Sequence, residues 1–213
     1  MSDETDYSLS YRDKMAVEEH EKLSPRLVYE IIRRSGVEEL QRPTKSLIYS
    51  GITAGLVISF SFFFKAVLTS LLPSDTVWTP LIANMGYTVG FIIVILGHMQ
   101  LFTENTVTAV LPVMQNPTLG NFGLLLRLWG VVLLGNIIGT GIAAWAFEYM
   151  PIFDEPTRDA FVKIGMDVMK NTPAEMFANA IISGWIIATM VWMFPSAGSA
   201  KIVVIILMTW LIA

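Results

Sequence analysis

Residues 81–113 form an apolar run too long for one simple membrane crossing, and a polar stretch, GHMQLFTENT at 97–106, interrupts it. A bilayer core needs roughly 20 apolar residues in helical form. Polar side chains at that depth are costly unless they face a bundle interior or a water-lined path. The run therefore predicts two half-helices joined by a non-helical segment, so that free backbone amides and helix ends can face a substrate. A pore is expected at this interruption.

Composition sets the environment. Hydrophobic residues make up 54% of the chain and charged residues 15%, and the mean hydropathy of +0.58 is too high for a domain with a wetted surface. The expected fold class is all-α: a multi-pass helical membrane protein. Further apolar runs lie at 46–72, 124–149, 176–194 and 200–213. The last is short of a full crossing, and natural chains rarely end in mid-membrane, so the chain is expected to be cut within its fifth helix. There are no cysteines, which excludes disulfides and thiolate chemistry. With no nucleophile–base set, cofactor motif or basic aromatic patch, neither an enzyme nor a nucleic-acid binder is expected, and no cofactor.

The chain divides into an N-terminal segment, 1–45, and a transmembrane domain, 46–213. Arg12, Lys14, Lys22, Arg26, Arg33, Arg34, Arg42 and Lys45 precede the first span, which predicts a cytoplasmic N-terminus. Alternation then places Arg127 and Lys201 on the same side and the loop 151–175 outside. SPRLVYEIIRRSG, with Ser24 as cap, Pro25 at the first helical position and Gly36 as terminator, predicts a short amphipathic helix at about 25–35. Such a helix covers a subunit interface or lies on lipid headgroups.

Thr103, Thr106 and Thr108 offer hydroxyls to a passing anion, or else bond their own helix backbone. Glu104 has three options: to be neutralised by desolvation, to pair with a neighbour, or to lie at a wet edge. His98 invites a proton relay, against the plainer role of satisfying a backbone carbonyl. It has no second ligand at metal-binding spacing, so no metal is expected. Lys65 is expected to snorkel to the outer interface. Gly135 and Gly139 form a ridge for close helix approach, and the phenylalanines of 60–64 are expected to pack.

In chain order, SPRLVYEIIRRSG, AGLVISF in the first span, LFTENT in the broken second, RLWGVVLLGNIIG opening the third and GWIIATMVW in the fourth resemble the formate and nitrite transporter family. The resemblance extends over 24–213. It implies an aquaporin-like inverted repeat of six membrane helices, and a homopentamer in a bacterial inner membrane with one pore per protomer. It also implies that Leu101 and Phe102 narrow the pore and that Thr103 contacts the substrate. Glu104 and Asn105 continue that loop, and Lys170 is the candidate for the family's outer-vestibule lysine. Two departures stand out: Glu104 replaces a small residue, and Gly184-Trp185 replaces an Asn-containing pair. The histidine of the family's fifth-helix break would fall just beyond Ala213. The function implied is passage of small monovalent weak-acid anions, linked to protons. A channel for small neutral solutes and a membrane scaffold with a vestigial pore, binding a partner through residues 3–21, are the alternatives.

Overall fold

A computed structural model describes residues 23–74 and 76–213. Arg12, Lys14, Lys22 and the segment 3–21, which the scaffold alternative would use to bind a partner, lie outside the described residues. The helices are α1 Pro25–Gln41, α2 Thr44–Leu71, α3 Thr79–Leu96, α4 Asn105–Gln115, α5 Leu119–Tyr149, α6 Glu155–Met169, α7 Pro173–Ala197 and α8 Lys201–Ile212. No strand occurs among the described residues. Among the described residues, four stretches are long and apolar enough to cross a membrane: Thr44–Leu71, Thr79–Leu96, Leu119–Tyr149 and Pro173–Ile212. The fourth is a hairpin. Its chain turns at Gly198–Ala200, and α8 returns against α3, where Trp210 Nε1 donates to the Leu81 carbonyl at 2.8 Å.

α1 starts as its sequence dictates: Ser24 Oγ accepts the Leu27 N–H at 3.3 Å and Pro25 opens the first turn. It does not stop at Gly36 but continues to Gln41. Gly36 is instead the point where α1 crosses α4, since a Cβ there would lie 2.0 Å from the Thr108 carbonyl oxygen. On the outer surface of α1, Glu30 pairs with Arg33 at 2.7 Å and Arg34 at 2.8 Å. Those two guanidinium groups hold its carboxyl at about 2.

α2 is the central helix and packs along α5 and α3. The Gly135/Gly139 ridge of α5 meets a matching pair, Gly51 and Gly55, on α2. A Cβ on Gly139 would fall 2.2 Å from the Ile52 carbonyl oxygen, and one on Gly55 2.3 Å from that of Asn136. The two backbones touch, as small residues in membrane helices permit.

α6, in the loop between the third and fourth spans, was not foreseen from hydropathy. Asp154 caps it, and it docks on α2 through rings: Phe161 stacks on Phe62 at 5.2 Å and on Phe147 at 5.4 Å, with Phe153 filling the corner. Lys65 does not point away from the protein. It is half-buried, donating to the Ala213 carbonyl at 3.2 Å with the Tyr87 ring 5.9 Å away.

Arg127 and Lys201 lie at the α1 end, where alternation puts them, while Arg158, Lys163 and Lys170 belong with α6. Arg127, near the start of α5, donates to the carbonyls of Leu40 at 2.7 Å and Arg42 at 3.0 Å, and Lys201 shares a cavity with α1. α6 lies at the opposite end of α2.

Candidate functional site

α3 ends in a tight reversal rather than fraying. The Met99 N–H reaches back to the Val94 carbonyl at 3.0 Å and the His98 N–H to that of Ile95 at 3.2 Å, with His98 in the left-handed region at φ 49°. This is a Schellman closure, a position that glycine usually takes. A histidine there carries backbone strain of about 1–2 kcal/mol, which the surrounding contacts must outweigh. The chain resumes helical form at Asn105.

Between those points the backbone is irregular, and its polar groups are met from other helices. Asn136 of α5 is the main clamp. Its Oδ1 accepts the Phe102 N–H at 2.9 Å, and its Nδ2 donates to the carbonyls of Gly51 and Gln100, each at 2.9 Å. Gln100 is the second. Its N–H donates to Ser50 Oγ at 3.0 Å, its Nε2 to Glu39 Oε2 at 2.8 Å, and its Oε1 accepts from Asn105 Nδ2 at 2.9 Å. Arg42 completes the chain to α1 with a 3.2 Å contact to Glu39. Burial pushes the Glu39 carboxyl up from its ordinary value, while Arg42 and Gln100 oppose that push. Trp129 Nε1 donates to the Asn105 carbonyl at 3.3 Å. An irregular segment among membrane helices has to be satisfied by protein in this way.

The segment borders a cavity of about 350 Å³, which α1, the break, α7 and the start of α8 enclose. Its polar lining includes Glu39, Arg42, His98, Gln100, Glu104 and Lys201. The residues singled out from sequence separate here. His98, Glu104 and Asn105 face the cavity together. Leu101 is buried in an apolar cluster with Phe91, Ile95, Met190 and Ile205. Phe102 packs on Trp129, ring centres 6.2 Å apart, and Thr103 is exposed, with its carbonyl bonded to Thr106. Lys170 is remote, an exposed residue after α6 that pairs with Asp167 at 2.6 Å. Thr108 lines the cavity, while its hydroxyl bonds the Glu104 carbonyl at 3.1 Å. Among the described residues, no group of three or more His, Asp or Glu is placed to hold a metal.

Asn136 and Gln100, which hold the break, were not singled out from the sequence. The signal was there: an amide inside the apolar GNIIGTG run is costly unless it meets partners.

The formate/nitrite transporter family model matches residues 26–213. The chain is 69% identical over 186 residues to the inner membrane protein YfdC of Escherichia coli, an alignment covering 87% of this chain and 60% of YfdC. It is 22% identical to the uncharacterized transporter YrhG of Bacillus subtilis, over 83% of this chain and 66% of that one. A shorter match, 34% identical over 101 residues, covers 46% of this chain and 34% of the formate channel FocA of Haemophilus influenzae. The chain thus spans about three-fifths of the length of YfdC. Among solved structures, an FNT family ion channel superposes with a TM-score of 0.71 at 17% identity, over 87% of this chain and 75% of that one, which shows the fold. The apolar helices and the identity to YfdC make this a multi-pass inner-membrane protein. The chain belongs to the formate/nitrite transporter family.

Proposed function

We propose that the protein carries small monovalent weak-acid anions of the formate and nitrite kind across the membrane together with a proton, by way of the break between α3 and α4. The observation that carries this reading is the clamped segment 97–104, whose His98, Gln100 and Glu104 border the 350 Å³ cavity. Family membership and the partial likeness to a formate channel support the substrate class. A bare anion in a dry constriction is prohibitively costly, so neutralisation by a proton gives it a crossing. Leu101 and Phe102 would form the apolar constriction, with Thr103 contacting the substrate and Lys170 as an outer attractor. The assembly would be a homopentamer with its N-terminus in the cytoplasm, its role transport rather than catalysis. The α1 face, with Arg26, Arg33, Arg34, Arg42, Lys45, Arg127 and Lys201, would then be the inner one.

One observation favours a second function. Glu104, with an unpaired carboxylate oxygen at the cavity, would repel anions if charged, which suits a channel for neutral solutes. Stopped-flow flux into proteoliposomes of the complete protein separates the two. Formate and nitrite uptake that rises at acidic pH, with little passage of glycerol or urea, is expected. Uptake of neutral solutes alone, independent of pH, would establish the second function, and no flux of either kind would favour a scaffold.

A further inference from the structure

Glu104 is the group in the cavity whose chemistry nothing else uses. Its Oε1 is shielded from solvent and has no hydrogen-bond partner among the described residues. Several of the other polar groups around it are occupied. Glu39 is engaged by Arg42 and Gln100, and Gln100 in turn by Asn105. Lys201 lies over the Phe194 ring at 4.7 Å and makes no ion pair among the described residues.

The charges that face Glu104 can be taken element by element. α1 brings Glu39, a like charge to Glu104, with Arg42 paired to it at 3.2 Å; the break brings His98; α8 brings Lys201; and α7 brings only Val191, Phe194 and Pro195. Lys201 favours a charge on Glu104 while Glu39 and burial oppose it. A carboxyl with one shielded and unmet oxygen is costly as an anion and acceptable as an acid. The nearby ammonium makes the ionised form available when it is needed.

We propose that Glu104 is a proton-exchange group for the permeating weak acid. The inference rests on the small-anion reading of this cavity. An anion A⁻ drawn in by Lys201 meets the Glu104 acid. The Glu104 O–H bond breaks and its electron pair stays on the carboxylate. A new O–H bond forms on A⁻, and neutral HA moves on past the apolar side chains. The negative charge is left on Glu104, facing Lys201, until a proton from water at the cavity mouth restores the acid. No electron changes hands. A group with both protonation states within reach can run the exchange in either direction.

The test compares the unmutated complete protein with Glu104→Gln and Glu104→Asp in proteoliposomes that hold a pH-sensitive dye, with formate as the probe. Formate-driven proton uptake is expected to fall about a hundredfold in Glu104→Gln and to persist in part in Glu104→Asp. Proton uptake at the unmutated rate in Glu104→Gln would overturn the proposal while leaving anion transport intact. Absence of formate flux in the unmutated protein would overturn both. A second measurement does not depend on the Gln variant folding. Infrared difference spectra of the unmutated protein on adding formate should lose a protonated-carboxyl C=O band, and Glu104→Asp should shift that band. An unchanged spectrum would overturn the proposal.

Discussion

Asn136 makes three hydrogen bonds with one amide: two go to the irregular backbone of the break, the Phe102 N–H and the Gln100 carbonyl, and the third to the Gly51 carbonyl of α2. Replacing it with leucine keeps much of the volume and strands the Phe102 N–H and the Gln100 carbonyl. Each stranded buried group costs about 1–3 kcal/mol. Asn136→Leu is therefore expected to lower stability by about 2–4 kcal/mol, read as a drop in detergent thermal unfolding, and to abolish formate flux. Wild-type flux with the clamp gone would show that the geometry of the break does not matter for passage. Asn136 was hidden in the sequence because GNIIGTG presents first as a glycine ridge, and an amide between two glycines does not announce its partners. Gln100 was hidden differently: it lies inside the interruption but comes before the motif that draws attention. Glu104 was legible as the odd residue, because a carboxylate in an apolar run has few ways to exist.

Helices were the most legible scale. The apolar runs at 46–72 and 81–113 correspond to α2 and to the pair α3 and α4, with the break where the polar stretch predicts it. What escaped was local chemistry overridden by contacts. Gly36 has the form of a helix stop, yet its missing Cβ serves the crossing of α1 over α4. α6 escaped because hydropathy does not mark a short amphipathic helix, although Asp154, Glu155 and Pro156 spell a helix start. The capping box of Thr172 and Glu175 at α7 was equally readable. The α2–α5 seam yields a prediction with its own control. Gly139→Ala drives a methyl into the Ile52 carbonyl, whereas Gly141 has nothing within 4 Å of its virtual Cβ. Gly139→Ala should destabilise by about 1–3 kcal/mol and Gly141→Ala by almost nothing, measured as unfolding midpoints in detergent. Equal effects would mean that α2 and α5 are not in backbone contact.

At the scale of the molecule, one face gathers α1, Arg127, Lys201 and the cavity, while the other gathers α6 and its phenylalanine corner. The helices pack so that the irregular backbone between α3 and α4 is stitched to α1, α2 and α5 at once. That stitching couples the cavity to the amphipathic helix through Glu39 and Gln100, so that solute in the cavity would meet a wall of both elements. The central claim is that this cavity lies on the solute's route. With no cysteine in the chain, a single thiol placed at Thr108, which lines the cavity, can test it in the complete protein freed of any other cysteine. Labelling Thr108→Cys with a bulky, charged methanethiosulfonate reagent should stop formate flux, and formate should slow the labelling. Full labelling with flux unchanged and no protection by formate would place the route elsewhere.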